Sequence, residues 1–197
     1  MENLVKQKKN TMIKIKFLIL ITLLIAATIV SVTTLAQDDF KPQTVFLIRH
    51  AEREDEPRQD PPLKKEGVAR SQELARLLGA AGVKTIITSQ FARTKLTAEP
   101  LATRLGLTPT TISLKSNPSN PRQIAEESTR EVVNKILERA GENVLVVGHS
   151  NSIPDVIKML GGDLAPTIDE RKFEDLFVVT LYGKGKAKVT HLKYGTE

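Results

Sequence analysis

The chain has 197 residues, which is enough for one globular domain and a short additional segment but not for two domains of ordinary size. With 40% hydrophobic and 26% charged residues, it has the composition of a folded protein rather than of a disordered or low-complexity one. It contains no cysteine, which excludes disulfide bonds, thiolate nucleophiles, Cys-ligated zinc and iron–sulfur clusters.

The formal net charge of +6 is concentrated at the amino terminus. Residues 1–36 contain five lysines and a single glutamate, so the remainder of the chain is close to neutral. The chain has six phenylalanines, two tyrosines and no tryptophan. It therefore lacks the basic, aromatic-lined face of single-strand binders, and we predict no nucleic-acid partner.

The amino-terminal segment has the pattern of a secretory signal peptide. A lysine-rich stretch precedes Phe17–Ala36, which carries no charge. Thr34 and Ala36 satisfy the small-x-small rule for cleavage after Ala36. An uncleaved signal anchor is the alternative, because the uncharged run is long enough to cross a bilayer.

Translation could begin at Met1 or at Met12, and the second start gives a shorter basic region before the apolar run. We predict residues 1–36 as signal peptide or anchor and 37–197 as the functional domain. The domain is expected outside the cytoplasm, periplasmic or secreted, since the lysines remain inside. Membrane attachment is expected only through the uncleaved segment.

Beyond this segment, β-branched apolar runs alternate with helical patterns, and a polar loop, Glu52–Pro62, follows the first strand. A turn-rich stretch, Ser116–Pro121, precedes the third helix, and Gly141 is expected to cap that helix. The alternation predicts a three-layer α/β/α sandwich around a mostly parallel sheet, with the active site beyond the carboxyl ends of the strands. In chain order we predict strand Thr44–Ile48, helix Lys65–Gly79, strand Val83–Thr88, helix Phe91–Leu105, strand Thr110–Leu114, helix Ala125–Ala140, strand Asn143–Val147, helix Ile153–Leu160, and strands Leu176–Tyr182 and Ala187–Tyr194.

Polar segments directly follow three of the hydrophobic strands. They deliver Arg49, Arg93, His50 and His149 to one edge of the predicted sheet. Arginine forks bind phosphate oxygens in a bidentate manner, and a neutral imidazole can attack phosphorus. Any one of these residues alone would more often be a satisfied loop residue, but their coincidence favours a phosphoryl-binding site. The segments are Arg49–Glu52, Ser89–Thr94 and Gly148–Asn151.

These segments resemble the motifs of the small branch of the histidine phosphatase superfamily, also called the phosphoglycerate mutase-like family. Arg49–Glu52 is similar to its Arg-His-Gly/Ala-Glu signature, Ser89–Ala98 to its second arginine motif, and Gly148–Asn151 to its late histidine motif. The likeness extends over about Val45–Tyr194 and includes the Leu63-x-x-x-Gly67 helix start.

The resemblance implies a phosphoglycerate mutase-like fold in which His50 accepts the phosphoryl group. Arg49, Arg93 and His149 would form the phosphate pocket, and water would hydrolyse the phosphohistidine. No metal or other cofactor is expected, and the expected partner is a small-molecule or polymer-linked phosphate substrate.

The family usually supplies a carboxylate that protonates the leaving oxygen, and here the sequence offers no clean match. Glu126 and Glu127 follow the second arginine motif at the expected distance, although acids at a helix start also complement the helix dipole. Glu52 is a further candidate, or instead orients the nucleophile loop. Ser150 occupies the position at which the large branch has Asp.

Two other classes of function remain as alternatives. Gly148–Ser152 nearly matches the nucleophile elbow of serine hydrolases, with Asp169 or Asp175 and His191 in the right order, but Ser152 replaces the final glycine. An exported binding module could retain the phosphate pocket without catalysis. A glycolytic mutase is disfavoured by the export signal. We therefore predict an exported, metal-independent phosphatase acting on phosphate monoesters or phosphoramidates.

Overall fold

A computed structural model of the chain describes residues 1, 6–8, 11–22, 40–164 and 166–195. The chain divides into two units, Met1–Asp39 and Phe40–Glu197. In the first unit, residues 11–22 are helical, and the predicted cleavage site at Thr34–Ala36 lies outside the described residues. Within the described ranges, no helix combines the length and apolar character needed to cross a membrane.

The second unit is built on a six-stranded sheet with the strand order β3-β2-β6-β1-β7-β8. The first four of these strands are parallel, and β7 and β8 extend the sheet in antiparallel pairing. The sheet is therefore mostly parallel, as predicted. The strands are β1 (Gln43–Arg49), β2 (Val83–Ser89), β3 (Thr110–Ile112), β4 (Ser116–Asn117), β5 (Asn120–Ile124), β6 (Asn143–Gly148), β7 (Asp175–Gly183) and β8 (Lys186–Lys193).

Four helices cover the sheet in two layers, because alternate side chains of each central strand point to opposite faces. In β1, Phe46 and Ile48 pack with α1 and α2, whereas Val45 and Leu47 pack with α3 and α4. This is the three-layer arrangement that the sequence predicted. The helices are α1 (Lys65–Leu78), α2 (Ala92–Leu105), α3 (Glu126–Leu137) and α4 (Ile153–Met159).

The turn-rich stretch contains a turn at residues 118–119, as predicted, but the residues on either side of it pair as a small antiparallel hairpin of β4 and β5. One local prediction was wrong. Helix α3 ends at Leu137, and its C-cap is Glu138 rather than Gly141. Gly141 has a φ of 85° and instead provides a left-handed turn immediately before β6.

The parallel central strands end together, and this places the polar segments at one edge. Arg49, the last residue of β1, is in register with Gly148, the last residue of β6. Strand β2 lies on the other side of β6 and ends at Ser89. The residues that follow these three strands are therefore neighbours in space.

Candidate active site

His50 lies at the centre of this edge and is 3% exposed. Its backbone N–H donates to the carbonyl of Gly148 at 2.9 Å. Its Nδ1 lies 2.8 Å from the carbonyl oxygen of Ala51, which can only accept a hydrogen bond. A neutral His50 therefore carries its proton on Nδ1, and the lone pair on Nε2 is left for another partner.

The charge state of His50 follows from its surroundings. Burial lowers its pKa to about 3, and the positive charges of Arg49, Arg93 and Arg53 favour the neutral ring further, against the hydrogen bond to Ala51. At neutral pH the imidazole is therefore uncharged. A neutral ring with a free Nε2 is the form that can act as a nucleophile.

His149 is the immediate neighbour of His50. The two ring centroids are 5.3 Å apart in an edge-to-face arrangement. The Nε2 atom of His149 is 2.9 Å from the hydroxyl oxygen of Ser89, and its backbone N–H donates to the Ser152 hydroxyl at 2.9 Å. Burial, followed by His50, Arg93 and Arg49, lowers the pKa of His149 to about 3.

Arg49 is buried and holds the segment before β7. Its Nη1 lies within hydrogen-bonding distance of three carbonyl oxygens, at 3.3 Å, 2.5 Å and 3.1 Å, and its guanidinium stacks on Phe173 at 4.2 Å. Burial lowers the pKa of this guanidinium, although Glu170 opposes the shift. The carbonyls belong to Asp169, Glu170 and Lys172.

Arg93 approaches the site from the first turn of α2. Its guanidinium stacks on Phe91 at 4.2 Å, and its Nη1 is 3.8 Å from a carboxylate oxygen of Asp60. The same oxygen accepts the N–H of Ala92 at 2.8 Å. Within the described ranges, the buried Nε atoms of Arg93 and Arg49 have no hydrogen-bond partner. The fold thus leaves these two charged groups incompletely satisfied, as at sites that bind anions.

The loop that carries His50 is fixed from two sides. The Ala51 N–H donates to the Thr97 hydroxyl at 2.9 Å, and both carboxylate oxygens of Glu52 bind Arg70, with a shortest distance of 2.8 Å. Gly67 lies against the backbone of Glu52, where an added Cβ would be 2.1 Å from the carbonyl oxygen. Only glycine fits there, which accounts for the Leu-x-x-x-Gly pattern.

The candidate acids are exposed or already paired. Glu126 and Glu127 begin α3 and are exposed, and Glu126 forms an ion pair with Arg130. Glu52 is committed to Arg70. Among the described residues, the carboxylate that reaches a phosphate-pocket residue is Asp60, through Arg93.

The serine hydrolase alternative finds no assembled triad. Asp175 and His191 do pair, at 2.7 Å, but His191 stacks on Phe177 in the sheet. Ser152 is occupied with the backbone of His149. Across the described part of the chain, no hydrogen bond links Ser150 to His191.

Sequence reasoning did not single out the aromatic and backbone partners of the arginines. Phe91 and Phe173 support the two guanidiniums, and Asp60 comes from the polar loop after β1. Phe91 is adjacent to a motif and could have been noted. Phe173 and the carbonyls before it carry no local signal, because only the return of β7 beside β1 brings them to the site.

Known structures share this fold. The protein histidine phosphatase SixA complexed with tungstate superposes with a TM-score of 0.59 at 19% identity, covering 76% of this chain and 96% of that one. A phosphoglycerate mutase from Bacillus anthracis str. Sterne gives a TM-score of 0.60 at 18% identity, covering 78% and 94%. A mycobacterial glucosyl-3-phosphoglycerate phosphatase gives 0.57 at 12% identity, covering 80% and 100%.

Comparison of the sequence gives one negative and one positive result. No curated protein matches the chain significantly. Residues 45–114, however, match the family model of the histidine phosphatase superfamily, branch 1. This region contains the first two motifs. The third motif, Gly148–Asn151, lies beyond the matched region, but the sheet places it beside the first. The resemblance inferred from the motifs is thus confirmed over residues 45–114 by the family model, and the solved structures confirm the phosphoglycerate mutase-like fold.

Proposed function

We propose that the protein is a metal-independent phosphatase that hydrolyses phosphate monoesters or phosphoramidates through a phosphohistidine on His50. One observation carries this proposal. A neutral imidazole with a free Nε2 lies beside two buried guanidiniums whose Nε–H groups have no partner among the described residues. A phosphoryl group matches both features, because it offers anionic oxygens and an electrophilic phosphorus.

In the first step, His50 Nε2 forms a bond to phosphorus while the bond from phosphorus to the leaving group breaks. The proton of His50 stays on Nδ1, which donates to the carbonyl of Ala51, and this hydrogen bond stabilises the ring as it becomes positively charged. Arg49 and Arg93 offset the charge that develops on the phosphoryl oxygens. In the second step, water attacks phosphorus, its proton passes to the released phosphate, and His50 returns to its neutral form.

The placement of the carboxylates supports leaving groups that depart without strong acid assistance. Glu52 is paired with Arg70, and Glu126 and Glu127 are exposed. Protonation matters most for poor leaving groups such as alkoxides. Phosphoramidates and aryl phosphates are therefore our preferred substrate classes, and the similarity to a protein histidine phosphatase agrees with this choice.

The proposal is tested by trapping the intermediate. We expect reaction with labelled phosphoramidate, quenched in alkaline detergent, to leave a protein-bound phosphoryl group that is stable in alkali and labile in acid. His50→Ala should abolish this species and lower turnover by at least ~10³-fold, about 4 kcal/mol of barrier. Ser150→Ala serves as the matched control and should retain most of the turnover.

Three outcomes would contradict the proposal. Turnover that survives His50→Ala but not Ser150→Ala would restore the serine hydrolase alternative. Binding of phosphate with no turnover by the wild-type protein would identify a binding module instead. Activity that requires an added divalent cation after EDTA treatment would contradict metal independence.

Export is part of the same proposal and rests on the amino-terminal pattern of the sequence. In a secreting host, we expect the recovered protein to begin at Gln37. A membrane-bound product that retains Phe17–Ala36 would favour the anchor.

A further inference from the structure

We propose that Ser89 and Thr94 hold His149 in the tautomer with its proton on Nε2, so that Nδ1 accepts a proton when a phosphoryl group binds. The inference rests on the proposed function, since it concerns the same pocket. In this inference Ser89 and Thr94 are positioning residues. His149 takes up a proton when the ligand binds and does not carry that proton beforehand.

The direction of the hydrogen bonds is set at Thr94. Its hydroxyl oxygen lies 2.9 Å from the carbonyl of Phe91, 3.1 Å from the carbonyl of Ser89 and 3.0 Å from the hydroxyl of Ser89. Carbonyl oxygens can only accept, and Thr94 has one hydroxyl proton. If Thr94 donated to the Ser89 hydroxyl, its oxygen would face two carbonyl oxygens with no proton between them. Thr94 therefore donates to the backbone and accepts from Ser89.

The direction of the Ser89 hydrogen bond fixes the tautomer of His149. The single hydroxyl proton of Ser89 is used towards Thr94, so the Ser89 oxygen can only accept from His149 Nε2, 2.9 Å away. The N–H of Phe91 also points at this oxygen, at 3.4 Å. Ser89, Thr94 and His149 are all buried, so water does not compete for these bonds. The neutral His149 thus carries its proton on Nε2.

The two neighbouring histidines are consequently fixed in opposite tautomers. His50 has its proton on Nδ1, held by the carbonyl of Ala51, and presents Nε2. His149 has its proton on Nε2 and presents a bare Nδ1. A lone pair facing a phosphoryl oxygen is repulsive unless a proton lies between them. Binding therefore places one proton on this Nδ1, taken from the acidic oxygen of a monoanionic substrate or from solvent.

Nearby charges explain why the proton arrives with the ligand and not before it. Burial lowers the pKa of His149, and three neighbouring groups lower it further: His50 and Arg49 from the end of β1, and Arg93 from α2. The ring of His149 is therefore neutral at neutral pH. An anion between the guanidiniums reverses this balance, because it is the counter-charge that a protonated imidazole needs.

The tautomer is measured by nitrogen NMR of the imidazole rings. The chain has three histidines, so substitution of each assigns the spectrum. In the ligand-free protein at neutral pH, we expect the proton of His149 on Nε2 and that of His50 on Nδ1. A His149 signal showing the proton on Nδ1 would overturn the inference.

Thr94→Val gives the sharpest contrast, because it keeps the shape of the side chain and removes the hydroxyl. Ser89 then loses its acceptor and turns its proton to His149, which should shift to the Nδ1-protonated tautomer. Thr94→Ser is the matched control and should keep the wild-type tautomer. An unchanged tautomer in a folded Thr94→Val protein would contradict the relay, and the wild-type spectrum remains decisive if that variant does not fold.

Proton uptake is measured with tungstate, which is a dianion at pH 7.5. Calorimetric titration in two buffers of different ionisation enthalpy should show uptake of about one proton by the wild-type protein. The Thr94→Val protein should take up close to none. Equal uptake in both, or none by the wild type, would reject the inference. These readouts need no turnover, so they stand apart from the phosphoenzyme test of the proposed function.

Discussion

Buried polar groups have protein partners at one edge of the sheet but not all of them do at the other. We call the edge at which the parallel strands begin the amino edge, and the edge at which they end the carboxyl edge. At the amino edge, Gln43 is 3% exposed, yet its amide donates to two carbonyls at the end of α3, at 3.0 Å and 2.9 Å. Thr85 and Asn143 nearby also have protein partners. At the carboxyl edge, Arg49 and Arg93 each keep an unpartnered Nε within the described residues. Unsatisfied buried charged groups of this kind are typical of ligand-binding and catalytic sites.

The largest expected effect comes from removing one of these donors. Arg93→Met should lower kcat/KM for an aryl phosphate by about 10²- to 10³-fold, as is typical when a donor to a developing oxyanion is lost. The free energy of unfolding should change by no more than about 1 kcal/mol, because a poorly satisfied buried charge is removed at the same time. Kinetics and urea denaturation measure the two quantities.

The matched control for this prediction is Lys84→Met, which removes an exposed cation from the amino edge. It should change neither activity nor stability. A comparable loss of activity in this variant would show that net charge, rather than the pocket, is responsible.

The second prediction concerns pH, because both buried histidines are at the carboxyl edge. Their pKa values are lowered to about 3 in the folded protein. The unfolded chain binds protons at an ordinary pKa near 6.5. Stability should therefore be greatest above about pH 6.5 and fall as the pH decreases towards 3, by up to about 5 kcal/mol for each histidine.

Urea denaturation across this pH range measures how the free energy of unfolding depends on pH. His149→Gln should flatten the dependence, whereas His191→Gln, which removes a half-exposed histidine, should not. A slope unchanged by His149→Gln would place the acid sensitivity in the carboxylates instead.

At the amino edge we expect a substitution to reduce stability and to leave activity unchanged. Gln43→Met keeps the length of the side chain but leaves the carbonyls of Ile136 and Arg139 without this donor. Unfolding should become easier by about 1–3 kcal/mol, the usual cost of an unsatisfied buried group. Turnover by the folded protein should be unchanged, and a large kinetic defect would remove the distinction between the edges.

The smallest effects are expected at the exposed acids that begin α3. If Glu126 or Glu127 protonates the leaving oxygen, its replacement by Gln would slow alkyl phosphates far more than aryl phosphates. Because both are exposed and Glu126 pairs with Arg130, we expect less than a twofold difference between the substrate classes. Asp60→Asn is the comparison, since Asp60 reaches Arg93.

The sequence predicted the fold well where hydrophobic periodicity is strong. In the first helix, four residues recur at helical spacing and all are buried in α1, namely Ser71, Leu74, Ala75 and Leu78. The prediction missed the strand pairing around the turn in the Asn- and Pro-containing stretch, because β4 and β5 are short, mostly exposed strands without hydrophobic periodicity.

The site was predictable only in part, for a related reason. Strand ends are visible in the sequence, so His50 and His149 could be expected near each other. The partners that set their protonation are contributed by Ala51 and Ser89, and hydrogen-bond direction cannot be derived from spacing. Nor could the sequence indicate that Glu52 is already committed to Arg70, 18 residues away.

The closed base of the loop after β1 has an evolutionary consequence. The Glu54 N–H donates to the Pro62 carbonyl at 2.8 Å, and the Lys64 N–H donates to the Glu52 carbonyl at 2.9 Å, so the loop leaves and re-enters the domain at one point. Lengthening such a loop costs only about 0.6 kcal/mol for each doubling. Insertions between these anchors could therefore diversify substrate choice in descendants of this protein without disturbing the nucleophile.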